Sequence, residues 1–298
     1  MQLPKQVIIK EVGPRDGFQS INKFIPSELK AEVINKLAEA GLTQIQATSF
    51  VHPRAIPQLV DAEKVMSLID RKPGVTYSAL VVNLKGIERA HAVNMDEVEF
   101  TVSASESHSK ANLNADIEQA LIRADECIEA ALKRDLAITC GISVAFGCPY
   151  EGAVPIENVS KIVARFINAG VVIITLADTT GMANPKQVYY MLSYMRDKYP
   201  DVIFSLHMHN TRGLALANIM AAMEVGVNSF DAAIAGLGGC PYAPGATGNV
   251  SSEDLINMLE SMGIATGVDL NKLIDLGKYV EEVISKGESH ILRAGGCL

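Results

Sequence analysis

The sequence predicts an α/β fold, a (β/α)8 TIM barrel with one additional C-terminal helix, and three observations carry that prediction. Short β-branched runs alternate with helical patterns eight times along the chain. Strand always precedes helix, the order that demands parallel pairing through crossover helices. Gly41, Gly170 and Gly226 each close a helical pattern just ahead of a strand, where a capping glycine makes a short αβ turn. A doubly wound open sheet is the competing fold. The first strand, however, runs into Gly13-Pro-Arg-Asp-Gly-Phe-Gln19 and not into a glycine-rich dinucleotide loop.

The strands are predicted at 7–12, 44–50, 75–81, 97–102, 137–144, 171–177, 203–209 and 229–233. The helices between them are predicted at about 27–40, 58–70, 84–94, 116–134, 155–169, 185–199, 213–225 and 251–262. Ser27 is a fair N-cap, while Asn184 ahead of Pro185, and Ser251 ahead of Asp254, start helices with the expected residues. A further amphipathic helix is expected over 268–286, followed by a glycine-containing tail. The chain is read as one catalytic domain spanning 1–298, with the barrel over about 5–262 and a C-terminal extension over about 263–298.

Composition agrees with an α/β interior. Of the 298 residues 48% are hydrophobic but only 5% aromatic, with no Trp, so the core must be built from Ile, Val, Leu, Ala and Met. A net charge of -8 and no run of Lys and Arg argue against nucleic acid and anionic membranes as partners. No stretch reaches the roughly 18 apolar residues of a membrane span, and the first residues lead into a strand pattern, so a cytoplasmic protein is expected. Cys127, Cys140, Cys148, Cys240 and Cys297 are irregularly spaced, which favours reduced thiols over a disulfide framework.

The chemistry is expected at strand ends. His207 and His209 stand two apart on a strand pattern and therefore share a face. Arg15 and Asp16 follow the first strand, and Asn249 closes a glycine-rich loop after the eighth. Spacing alone also fits a hydrogen-bonded histidine pair in the core or a wet loop. A closed barrel brings strands 1, 7 and 8 together at the end where active sites of this fold lie. Asp16, His207, His209 and Asn249 would then offer one carboxylate, two imidazoles and an amide oxygen. That set suits Mg2+ or Mn2+, tolerates Zn2+ or Co2+, and leaves octahedral positions for water or substrate. Arg15 is either a surface residue or a fork for a carboxylate or a developing enolate oxygen. Asp178, at the end of the sixth strand, would act on a proton, orient a metal-bound water or cap a helix. Cys148 and Cys240 share the string Gly-Cys-Pro-Tyr. Cys240 lies in a loop long enough to carry its thiol over the ion, whereas Cys148 is expected to pack.

Five strings together resemble the 3-hydroxy-3-methylglutaryl-CoA (HMG-CoA) lyase family, metal-dependent TIM-barrel enzymes. They are Glu11-Val-Gly-Pro-Arg15-Asp16-Gly17, Ala47-Thr-Ser-Phe50-Val-His-Pro53, Ser103-Ala-Ser-Glu-Ser-His-Ser-Lys110, Phe146-Gly-Cys-Pro-Tyr-Glu-Gly152 and Ala235-Gly-Leu-Gly-Gly-Cys240-Pro-Tyr-Ala-Pro-Gly245. The similarity covers residues from about 5 to 290. It implies that Asp16, His207, His209 and Asn249 bind a divalent metal, that Arg15 stabilises an enolate, and that Asp178 and the mobile-loop Cys240 are catalytic, with Gln46 a further catalytic candidate. The implied reaction cleaves HMG-CoA to acetoacetate and acetyl-CoA. The expected partners are an acyl-CoA substrate and a second copy of the chain, as a dimer. Two positions depart from the family pattern: Gln46 and Asn210 stand where the family has Glu and Asp, and each removes a negative charge. The alternatives these leave are a related acyl-CoA, such as citramalyl-CoA or a longer 3-hydroxy-3-alkylglutaryl-CoA, and a homologue that binds without turnover. Gln46→Glu is expected to raise HMG-CoA cleavage if the charge was lost by drift, and to impair the reaction if the site is tuned to another substrate.

Overall fold

Eight parallel strands close into a barrel in chain order: β1 (Ile8–Glu11), β2 (Gln44–Ser49), β3 (Thr76–Val81), β4 (Glu97–Ser103), β5 (Ala137–Ser143), β6 (Ile173–Asp178), β7 (Ile203–Met208) and β8 (Ser229–Ala232). β1 pairs with both β2 and β8, which completes the ring. The computed structural model describes residues 3–52, 54–239 and 248–295. Each strand lies within two residues of its predicted bounds. The outward faces are apolar: Val98, Phe100 and Val102 on β4, and Phe204, Leu206 and Met208 on β7, are all buried under the helical layer. Burial of this kind contributes about 25 cal/mol per Å².

The helices are α1 (Ser27–Glu39), α2 (Ala62–Leu68), α3 (Leu84–Ala92), α4 (Glu106–Leu113), α5 (Ile117–Leu132), α6 (Ile156–Asn168), α7 (Pro185–Lys198), α8 (Ala215–Glu224), α9 (Ser252–Ser261), α10 (Leu270–Val283) and α11 (His290–Arg293). Asn184 accepts from Gln187 N at 3.0 Å and Ser251 from Asp254 N at 3.2 Å, as their positions predict. Ser27 instead forms the first residue of its helix, and its hydroxyl donates to Asp61 at 2.6 Å. Two of these α-helices are absent from the sequence prediction. Helix α4 buries only His108 and Ser109, so it has no apolar stripe to read. Helix α11 is a single short turn, capped by Ser289. No helix among the described residues is long and apolar enough to cross a membrane.

The inward faces differ from the outward ones. Lys10 of β1 reaches Glu97 and Glu99 of β4, a strand that is not its neighbour, so these side chains meet across the barrel interior. Gln46, Ser78, Thr139, Thr175, Ser205 and Asp231 are also buried polar residues on the strands. This polar interior leads up to the C-terminal mouth.

Candidate metal centre

Three local features bring the donors together. Immediately after β1, Gly13–Gly17 winds as one π turn, closed by the Phe18 amide donating to Gly13 O, and the Asp16 amide donates to Val12 O at 2.7 Å. The wide turn holds both Arg15 and Asp16 buried at the mouth. Gly13 is required there: a Cβ would lie 2.6 Å from Glu11 Oε1 and 2.8 Å from Ile234 Cγ2. At the end of β7, His207 and His209 face the same way, as strand alternation demands. Asn249 arrives by a route the sequence did not suggest. The segment 248–251 lies across the gap between β7 and β8, with Asn210 N donating to Gly248 O, Val250 N to Met208 O and Ala233 N to Val250 O, each at 3.0 Å. Gly248 permits this, since a Cβ would sit 2.7 Å from Gly236 O and Gly238 N.

Asp16, His207 and His209 form a cluster whose donor atoms all lie within 4.8 Å of one another. The two Nε2 atoms are 3.1 Å apart, and each stands 4.0 Å from Asp16 Oδ2. Asp231 Oδ2 accepts from His207 Nδ1 at 3.0 Å. That bond fixes the ring's N–H at Nδ1 and leaves the Nε2 lone pair directed into the cluster. Asn249 Nδ2 donates to Asp16 Oδ2 at 2.8 Å and to Leu237 O at 3.1 Å. Its Oδ1 is buried with no hydrogen-bond partner among the described residues. A half-turn of the amide would present that oxygen to the cluster. A carboxylate, two imidazole lone pairs and, once the amide is turned, the Asn249 oxygen fit a divalent cation.

The charges agree with this reading. Burial alone would raise the Asp16 carboxyl, but Arg15 and the two histidines bring it down to about 2. Burial, then the neighbouring His207, pushes His209 down to about 4, which keeps a lone pair available. For His207 the pull of Asp231 outweighs burial, and its value rises. Gln19 Nε2 donates to Asp16 Oδ1 at 2.8 Å, steadying the carboxylate from its other side.

Arg15 is not a surface residue. Its Nε donates to Gln46 Oε1 and a terminal nitrogen to Asp16 Oδ1. Asp178 is buried, and both its oxygens are taken by the turn that follows β6, at 2.7 Å from Met182 N and 3.0 Å from Ala183 N. Burial raises it to about 6 against those two bonds. It therefore caps a turn, while Asn184 caps the helix. Cys148 packs as expected, its Sγ 2.9 Å from Ser105 Oγ. Cys240 lies outside the described residues. Asn210 serves locally: its Oδ1 accepts from Ala215 N at 3.2 Å at the start of α8, a duty an aspartate would also perform.

Sequence reasoning missed several supports. Asp231 holds an inward position on β8, and strand alternation could have singled it out. Glu11 and Glu253 fix the stretch that leads into the glycine-rich loop. Glu11 accepts from Gly13 N and Ile234 N at 2.8 Å each, and Glu253 from Ala235 N at 2.9 Å. Such partners are set by closure of the barrel, so no local pattern shows them.

The sequence matches the HMGL-like family over residues 6–280. It is 44% identical to hydroxymethylglutaryl-CoA lyase YngG of Bacillus subtilis (strain 168) over 286 residues, covering 96% of each chain. It is 40% identical to the mitochondrial hydroxymethylglutaryl-CoA lyase of Homo sapiens over 295 residues, 99% of this chain and 91% of that one. The fold superposes on the HMG-CoA lyase of Acenitobacter baumannii, solved with coenzyme A and 3-methylmalate, with a TM-score of 0.94 at 41% identity over 98% of this chain and 96% of that one. The cytoplasmic expectation is corrected by these relatives. Several from vertebrates, the human one among them, are mitochondrial, so composition and the opening residues do not fix a compartment.

Proposed function

This chain belongs to the HMGL-like family, and from that premise we propose that it is a carbon–carbon lyase cleaving HMG-CoA to acetoacetate and acetyl-CoA. The observation that carries the reading is the joining of Asp16, His207 and His209 into one buried cluster beside Arg15. The ion proposed is Mg2+ or Mn2+, because the donors are nitrogen and oxygen without sulfur. When bound by Asp16, His207, His209 and Asn249, it supplies Lewis acidity to the hydroxyl and carboxyl oxygens of the substrate.

The chain's own residues account for the rest. In the retro-Claisen step the C3 hydroxyl loses its proton and becomes a carbonyl. The C2–C3 bond breaks, and its electron pair passes into the thioester as the enolate of acetyl-CoA, which is then protonated at C2. Arg15, held in place by Gln46 and Asp16, offers a fixed cation to the oxygen on which that charge develops. Asp178, a buried carboxyl raised to about 6, is proposed to hold or move a proton. Cys240 is proposed as the loop group that reaches the site. The whole chain is proposed to act as one catalytic domain and to assemble as a dimer, with an acyl-CoA as its small-molecule partner. Mass-spectrometric product analysis with HMG-CoA and citramalyl-CoA in the presence of Mg2+ or Mn2+ tests this. Acetoacetate and acetyl-CoA from HMG-CoA are expected, and cleavage of citramalyl-CoA alone would reassign the substrate.

A further inference from the structure

Position 46 carries an amide beside the buried guanidinium of Arg15, yet the charge opposite that guanidinium is not missing. Gln46 Oε1 accepts from Arg15 Nε, and Gln46 Nε2 donates to Glu99 Oε2 at 2.8 Å. Both Gln46 and Glu99 are buried, and Glu99 comes from β4, on the far side of β3 from β2. Lys10 of β1 holds Glu99 from below, with Nζ 3.2 Å from Glu99 Oε2 and 2.8 Å from Glu97 Oε1. Lys10 is itself buried, and the pull of Glu97, Glu99 and Asp231 outweighs burial to raise its value. Four strand-borne or turn-borne groups thus form one hydrogen-bonded line through the barrel, Arg15 to Gln46 to Glu99 to Lys10.

The polarity of that line is fixed. An amide has one accepting and one donating end. Glu99 takes the donating end, which forces the oxygen of Gln46 toward Arg15. Were the amide reversed, its N–H groups would meet the guanidinium's own and its oxygen would meet the carboxylate. Gly141 of β5 leaves room beside Glu99: a Cβ there would come within 2.9 Å of Thr101 Oγ1 and 3.4 Å of Glu99 Oε1.

We propose that Glu99, seated by Lys10, is a positioning residue of the lyase reaction: it supplies, through the oriented amide of Gln46, a second negative charge, beside that of Asp16, that holds Arg15 in its working direction. The inference rests on the lyase reading and alters what position 46 means. The counter-charge sits one step further along the line, at position 99. Gln46→Glu then does not restore a lost partner. It sets two carboxylates against each other at hydrogen-bond distance in a buried site, where one must take up a proton or the pair must separate.

A charge-exchange series tests the proposal: Gln46→Glu, Glu99→Gln and the double variant that exchanges the two residues, each assayed for kcat and KM on HMG-CoA at saturating Mn2+. In the double variant, the carboxylate at 46 accepts from Arg15 and from the amide at 99, whose oxygen faces Lys10, so every partner is again satisfied. Each single variant is expected to lose about 10-fold or more in kcat with KM changed by less than about 3-fold, and the double variant to return within about 5-fold of wild type. A merely structural role would not give rescue by exchange confined to kcat. Wild-type kcat in Gln46→Glu or in Glu99→Gln, or a double variant no better than the product of its singles, overturns the proposal. The same cycle is read in denaturant midpoints, which need no substrate. Wild-type protein inactive on HMG-CoA would refute the lyase reading, and with it the catalytic role of Glu99. Strong coupling between 46 and 99 in the midpoints would still support the link itself, whereas additive midpoints would remove it. If a single variant does not fold, a double variant that folds and turns over supports the exchange, and one that does neither counts against it.

Discussion

Replacing Asp231 by Asn should weaken metal binding by about 10-fold, and by Leu by about 100-fold, while leaving the barrel closed. The two magnitudes follow from what each change leaves at His207. Asp231 Oδ2 lies 3.0 Å from His207 Nδ1, and the carboxylate is buried. An asparagine can still offer an oxygen to that N–H, so the tautomer that directs the Nε2 lone pair into the cluster is kept. Only the charge that strengthens the bond and the basicity of the ring is lost. Leucine removes the acceptor too, so the ring is free to turn and to place its N–H at Nε2. Effects of such supporting residues on metal affinity run to about 10–100-fold, or about 1.4–2.7 kcal/mol. Neither change strips Lys10 of its partners, because Glu97 and Glu99 remain. Calorimetric titration of Mn2+ into chelator-stripped protein, without substrate, reads the effect directly. Affinity within twofold of wild type in both variants would mean that His207 is not a ligand or that Asp231 does not orient it.

Asp16→Asn removes the only carboxylate of the candidate ligand set and should weaken Mn2+ binding sharply in the same titration, and unchanged affinity would dismiss Asp16 as a ligand. Arg15→Gln should lower cleavage of HMG-CoA by about 10²–10³-fold with an unaltered circular dichroism spectrum, since a fixed cation matters most as the enolate forms; near-normal turnover removes Arg15 from the mechanism. Stability should fall as pH rises through the neutral range. Burial raises Glu11 to about 7 and Glu253 to about 8 from an ordinary value of 4.5, so the folded chain keeps protons that the unfolded chain has released. Their contribution is complete below the ordinary value and is lost as pH climbs through about 7 to 8. Urea midpoints of wild type and Glu253→Gln between pH 5 and 9 should therefore diverge on that climb, with the variant the flatter, and parallel curves would exclude Glu253 as a source.

The fold was legible because its signals are local and repeated. Eight alternating runs, the glycines after three helices and the caps at Asn184 and Ser251 each reflect a neighbourhood of a few residues. His207 and His209 were legible for the same reason, being two apart on one strand. Asp16 was reachable only by assuming closure, since it stands far from the histidines in sequence. The supports were hidden. Asp231, Glu99 and Lys10 sit in strands as isolated charges, and no spacing tells that Lys10 crosses the barrel to β4. Position 46 shows the limit most clearly. Compared with a family pattern it reads as a lost charge, and only its contact with Glu99 at 2.8 Å shows where a charge has been placed. Asn249 was legible as a residue but not as a geometry, because its approach depends on a segment laid between β7 and β8.

The central claim is that the site built from Asp16, His207, His209 and Arg15 would, with a divalent ion bound, generate an acetyl-CoA enolate from HMG-CoA. The most direct test is to run the Mn2+-loaded protein on HMG-CoA in D2O and to analyse the products by mass spectrometry. Cleavage between C2 and C3, followed by protonation of the enolate from exchangeable groups, predicts acetoacetate together with acetyl-CoA carrying one solvent deuterium in its methyl group. No acetyl-CoA, or acetyl-CoA without solvent deuterium, would contradict the account.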